Sequence, residues 1–215
     1  DLGNVTVTAA LVSLSDAGNV RLENASVVPT EGYDASGAVD SEALSRSLHA
    51  ALGELGLPPD EQLKRLHIAV GGASLASMRT QGLVPMVPMG RRVATEDLLK
   101  VIQHSKQVGV EEGCEVLQSL PRRFRIDGET VDSPIGRNAS RLEVDTLIVT
   151  APEGTVSGIE KAVSSAGYAL ESLVAAPLAT ALGSATAREM QAGCAVVDLG
   201  ERATGVTVFE AGSAS

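Results

Sequence analysis

The stretch LPRRFRIDGETVDSPIGRNASRLEVDTLIVTAP, residues 120–152, decides the fold, because it holds the longest strand candidate in the chain and the turns that feed it. From Arg141 to Pro152 most positions are apolar, the pattern of a central strand buried on both faces. Gly128, Pro134 and Gly136 are ordinary turn formers, and Asp127 can cap a turn without touching a partner. Two shorter strands are expected around EVLQSL and RFRIDGETV. Arg122, Arg123 and Arg125 form a small basic cluster that reads as a solvated strand face.

On either side, strands and helices alternate. VTVTAALVSL, a turn over Asp16-Ala17-Gly18-Asn19, and VRLENASVV read as a hairpin. Asp40 then caps a helix whose Leu44, Leu48, Leu52 and Leu55 recur on one face, and Gly56 with Pro58-Pro59 ends it. Leu66 to Val70 is a short strand running into Gly71-Gly72. Thr95 caps a second helix, with Glu96 and Asp97 in the first turn where negative charge suits the helix dipole. A third helix carries Val156, Ile159, Val163 and Ala166 and stops at Gly167. ALESLVAAPL follows as a strand turning into a helix near Pro177. CAVVDLG and TGVTVFEAG form a second hairpin, so the sheets are expected to be mixed rather than purely parallel.

Composition narrows the function classes. At 44% hydrophobic and 20% charged, 215 residues can bury an α/β core. Only 2% are aromatic, and the formal net charge is −10, with no dense basic stripe, so nucleic acid is a poor partner. The most apolar stretch, near Leu173 to Leu182, is interrupted by Pro177 and falls well short of the roughly 18 residues that a membrane helix needs. Membrane contact is therefore not expected from this segment. Cys114 and Cys194 lack metal or redox spacing and read as buried thiols in a cytoplasmic protein. His49, His67 and His104 are isolated, no nucleophile or metal motif appears, and neither catalytic nor metal residues are assigned.

Two triplets, Asp1-Leu2-Gly3 and Asp198-Leu199-Gly200, each open a hairpin. Each alone is a strand ending in a turn; as a pair they resemble the phosphate motifs of the actin, Hsp70 and sugar-kinase superfamily. There glycine N–H groups approach phosphates and aspartates hold Mg²⁺ through water. Between them, HIAVGGASLASMRTQGLV, VATEDLLKVIQHSK and the 120–152 stretch resemble the subdomain that the bacterial division protein family FtsA inserts into its actin-like core. Leu120-Pro121 with Phe124, Ile126 and Asp127, followed by Ser133-Pro134-Ile135-Gly136, is the most specific part. GYALESLVAAPLATAL before GCAVVDLG extends the similarity over essentially the whole chain.

The resemblance implies an α/β, actin-like (ribonuclease H-like) mixed sheet with an inserted α+β SHS2-type subdomain. Its expected parts are residues 1–65 and 152–192 as the two halves of subdomain 1A, 66–151 as the insert 1C, and 193–215 as the opening hairpin of a second domain. Asp1, Gly3, Asn4, Asp198, Gly200 and Thr204 are the expected nucleotide-binding positions, in degenerate form. After Gly200 come Glu201, Arg202 and Ala203 instead of further glycines, and after Gly3 come Asn4, Val5 and Thr6. Glu201 brings a carboxylate toward a polyphosphate, which Arg202 could partly offset. Opening on Asp1 and closing soon after the second hairpin, the chain reads as part of something longer. ATP with Mg²⁺ is expected for the full-length protein and no cofactor for this segment, an assembly module more than an enzyme. The family implies self-association through the insert, FtsZ and other divisome partners, and placement on the inner face of the cell membrane through a C-terminal amphipathic helix. A PilM-like pilus assembly protein and an ATP-dependent enzyme of the same superfamily are the alternatives.

Overall fold

The computed structural model describes residues 1–16, 18–34, 36–56 and 65–215. In chain order the elements are β1 (Thr6–Leu14), β2 (Val20–Pro29), α1 (Ser41–Glu54), β3 (Arg65–Val70), β4 (Ala76–Pro85), β5 (Arg91–Arg92), α2 (Thr95–Gln107), β6 (Cys114–Ile126) and β7 (Glu129–Val131). Then follow β8 (Asn138–Ala139), β9 (Arg141–Pro152), α3 (Glu153–Ser165), β10 (Ala169–Ala175), α4 (Ala176–Ser184), α5 (Ala187–Ala192), β11 (Cys194–Leu199), β12 (Thr204–Glu210) and β13 (Ser213–Ala214). They group into two compact units, Asp1–Leu75 with Pro152–Ser184 and Val196–Val206, and Ala76–Ala151 with Ala185–Ala195 and Thr207–Ser215.

The first unit is built on a mixed sheet. β1 and β2 pair antiparallel from Thr6↔Pro29 to Leu14↔Val20, with an irregularity between Leu11 and Val12. β3 and β10 pair parallel. Leu2 joins the two ladders: it bridges antiparallel to Val7 and parallel to Val70, and its N–H donates to the Ala69 carbonyl at 2.8 Å. The first Asp-Leu-Gly triplet is thus the sheet's centre, and Leu2 is 1% exposed. α1 begins where Asp40 Oδ1 accepts the N–H groups of Glu42 and Ala43, both at 3.1 Å. Its buried face carries Leu44, Leu48, Ala51 and Leu52, each leucine contributing roughly 2 kcal/mol of apolar transfer. α3 lies against α1, and buries Val156, Ile159, Ala162 and Val163. The expected stop at Pro58-Pro59 lies outside the described residues, as does Ala17 of the hairpin turn.

The second unit is a four-stranded sheet in the order β4-β9-β6-β7 with α2 packed on β4 and β6. β9, between β4 and β6, buries Leu142, Val144, Ile148 and Ala151, as its run of apolar residues predicts. It pairs antiparallel with β4 from Ala76↔Thr150 to Pro85↔Arg141. Glycine is required at position 82 of β4: a Cβ there would sit 2.1 Å from the Val101 carbonyl oxygen of α2. Beneath α2, Thr146 Oγ1 donates to Ser105 Oγ at 2.9 Å, satisfying two buried hydroxyls. Met86, Val93, Val101, Ile126, Leu142 and Val144 form the apolar centre.

Four expectations need correction. EVLQSL and RFRI belong to one continuous strand, β6, which runs through Pro121; proline removes a donor from a strand without ending it. Thr95 is the first residue of α2, not its cap: Ala94 occupies the cap, and Asp97 supplies the missing side chain by accepting the Ala94 N–H at 2.9 Å. Asp97, 3% exposed, is also gripped by Arg91 at 2.6 and 2.7 Å, and this pairing pulls its carboxyl down to about 2. The basic cluster is a solvated face only at Arg123, which is exposed. Arg125 pairs with both oxygens of Asp145 at 2.8 Å and with Glu143 at 3.2 Å, and Arg122 meets Glu210 at 3.1 Å, because long cross-strand side chains find carboxylates that the linear pattern hides. Finally, Cys114 and Cys194 are free but only half-buried.

Candidate functional site

The two Asp-Leu-Gly triplets close their hairpins with the same hydrogen bond. Gly3 N–H donates to the Thr6 carbonyl at 3.0 Å, and Gly200 N–H donates to the Ala203 carbonyl at 3.1 Å. Glycine is needed for the same reason in both: a Cβ would stand 2.9 Å from the Thr6 oxygen at position 3 and 2.7 Å from the Ala203 oxygen at position 200. The repeat read in the sequence is therefore a repeat of turn geometry.

Both turns open on one cavity of about 420 Å³ within the first unit. All six sequence-predicted positions, Asp1, Gly3, Asn4, Asp198, Gly200 and Thr204, line it. Sequence reasoning missed the rest of the wall. Gly71 and Gly72 arrive at the end of β3 because Val70 pairs with Leu2, and Pro177 is held at the start of α4, where Gly205 leaves it room: a Cβ at 205 would lie 2.5 Å from the proline ring. The Gly71-Gly72 pair at a strand end was the available signal. Tyr33 buttresses this wall, its hydroxyl donating in a short bond to the Gly71 carbonyl; burial, with help from Asp34, raises its phenol to about 12.

The chemistry of the lining is acidic. Asp1, Asp198 and Glu201 bring three carboxylates, and no lysine or arginine lines the cavity among the described residues. Asp198 Oδ2 accepts from Thr180 Oγ1 at 3.2 Å. The main-chain nitrogen of Asp1 donates to the Thr8 carbonyl at 2.7 Å. Asn4 Nδ2 is a buried donor with no acceptor among the described residues. Arg202 does not line the cavity; its charge acts on Asp34, whose carboxyl is held low chiefly by Ser36, with Arg202 the smallest contribution. A phosphate chain placed here would meet three carboxylates, with the N–H groups of Gly3 and Gly200 donated to their own turns and the Asn4 side-chain amide unpaired among the described residues. These residues fit a polyphosphate poorly. Elsewhere, among the described residues, no cluster of three His, Cys, Asp or Glu side chains forms a metal site, and no helix is long and apolar enough to cross a membrane.

Comparison with known proteins places the chain. Residues 72–150 match the family model described as the SHS2 domain inserted in FTSA. Among solved structures, the PilM-PilN type IV pilus biogenesis complex superimposes with a TM-score of 0.66 at 17% identity, covering 100% of this chain and 58% of that one. Together these define an actin-like α/β protein with an SHS2 insert. Cell division protein FtsA of Escherichia coli K12 is 26% identical over 214 residues, 99% of this chain and 50% of its own length. The corresponding proteins of Streptococcus pneumoniae and Bacillus subtilis are each 24% identical, covering 97% and 86% of this chain and 46% and 42% of their own lengths. The chain is FtsA-like, and it spans about half the length of the curated relatives it matches.

Proposed function

We propose that the protein is a scaffold of bacterial cell division, acting through protein–protein contacts in Z-ring and divisome assembly, with weak or lost ATP binding. The observation that carries the reading is the cavity itself: it keeps both turns of an actin-like cleft but lines them with three carboxylates and no cationic side chain. A nucleotide-driven enzyme needs preorganised donors at the charge it stabilises, and here the Gly3 and Gly200 amides are donated to their own turns. The role in division rests on relatives named as cell division protein FtsA across nearly all of this chain. In the full-length protein, self-association runs through the second unit and FtsZ is the partner, with ATP and Mg²⁺ at most loosely held. The proposed location is cytoplasmic, peripheral to the inner face of the cell membrane.

A PilM-like role is the second reading, favoured by the structural likeness to the pilus biogenesis complex. A pull-down on the full-length protein with purified FtsZ and, in parallel, with the N-terminal peptide of a pilus inner-membrane partner separates the two. Retention of FtsZ alone is expected. Retention of the pilus peptide alone would replace the division reading.

A further inference from the structure

Where β4 ends and β9 begins, the segments 86–93 and 134–140 of the second unit run side by side, tied by main-chain hydrogen bonds. Met86 N–H donates to the Ser140 carbonyl at 2.9 Å, Gly90 N–H to the Ala139 carbonyl at 3.0 Å, Val93 N–H to the Arg137 carbonyl at 2.9 Å and Gly136 N–H to the Val93 carbonyl at 2.9 Å. Between these bonds β5 and β8 pair through Arg91↔Ala139 and Arg92↔Asn138. Met86 and Val93 anchor both ends of the first segment in the apolar centre, at 1% and 2% exposure. Arg91 fastens its middle: Nε donates to the Val87 carbonyl at 2.9 Å, and the two Nη groups hold Asp97.

On this fixed frame the outward side chains are of two kinds. Val87 and Met89 are 77% and 80% exposed, and Ile135 in the facing segment is 50% exposed. Arg92 and Arg137 are exposed as well, and neither enters an ion pair among the described residues. No acid occurs from Pro85 to Val93 or from Pro134 to Ser140, in a chain of net charge −10. Two carboxylates reach these segments from elsewhere, and both are engaged. Asp97 is held by Arg91, and Asp127 accepts the main-chain N–H groups of Ser140 at 3.1 Å and Arg141 at 2.7 Å.

Methionine and arginine are enriched in contact surfaces, and a backbone already fixed in place loses little freedom on binding. We infer that this end of the second unit docks a segment of a partner protein that carries both carboxylates and apolar side chains, the apolar ones covering Val87 and Met89 and the carboxylates meeting Arg92 and Arg137. Charge selects the partner: a basic segment is repelled, and a purely acidic one leaves the apolar side chains in water. None of these residues lines the cavity at the paired turns, and the inference does not rest on the division reading.

The test is fluorescence anisotropy with a dye-labelled peptide of glutamates and leucines, titrated with the 215-residue chain. Saturable binding is expected, weakened about tenfold by Arg92→Glu with Arg137→Glu and about fivefold by Val87→Ser with Met89→Ser. All four positions are exposed, so unchanged unfolding midpoints serve as the control for folding. No binding, undiminished binding by either double variant, or equal binding of the corresponding lysine–leucine peptide would overturn the inference. Equal binding of a peptide of glutamates alone would do the same, leaving plain charge attraction. Two other occupants are tested alongside. Binding to phosphatidylglycerol vesicles without binding to the peptide would assign the surface to a lipid, and a concentration-dependent dimer abolished by the same variants, again without peptide binding, would assign it to a second copy; either result overturns the inference.

Discussion

Carboxylates play opposite parts in the two units. In the second unit each buried one is matched: Asp97 by Arg91, Asp145 and Glu143 by Arg125, with Arg141 also on Glu143 at 2.6 Å. In the first unit Asp1, Asp198 and Glu201 face a shared cavity lined by no arginine or lysine among the described residues. Pairing inside a fold makes a charge structural, whereas charge gathered around a cavity decides what that cavity can admit. The contrast implies that removing a paired acid should damage the second unit, whereas removing Glu201 from the cavity should leave the first nearly untouched.

The largest effect is expected at Asp97. Asp97→Ala removes the cap of α2 and leaves Arg91 without its partner, a loss of about 3 kcal/mol in denaturant unfolding. Acid should produce part of the same effect without mutation. The folded carboxyl titrates near 2 against an ordinary 3.8, so its contribution is complete above about pH 4 and disappears as pH falls through about 2. Thermal unfolding followed across that window should show a steeper acid loss for the parent protein than for Asp97→Ala. Next comes Arg125→Ala, which leaves Asp145 without its guanidinium and Glu143, 6% exposed, with Arg141 alone, and is expected to cost about 2 kcal/mol. Gly200→Ala sets a Cβ against the Ala203 carbonyl and should cost about 1 kcal/mol, measured by the same unfolding curves. Glu201→Ala is the smallest, within about 0.5 kcal/mol, since it removes an exposed charge with no ion-pair partner among the described residues. A loss at Glu201 equal to that at Asp97 would break the contrast.

Much of the fold was legible because its signals are local. The leucine spacing of α1, its Asp40 cap and the apolar run of β9 each carry their meaning within a dozen residues. The cavity was legible through repetition, as Gly3 and Gly200 solve the same steric problem. What stayed hidden depends on distant partners. The arginines of β6 look solvated until β9 brings Asp145 and Glu143 beside them, and Gly82 looks like an ordinary weak strand residue until α2 lies on it. The engaged N–H groups of Gly3 and Gly200 were equally invisible, since a glycine in a sequence does not reveal which carbonyl it faces.

Calorimetric titration of the full-length protein with MgATP tests the central claim most directly. No saturating heat at micromolar nucleotide is the expected result, given a cavity lined by three carboxylates and by no lysine or arginine among the described residues. A micromolar dissociation constant that Asp198→Ala abolishes would contradict it, and would restore the paired turns to a working nucleotide cleft.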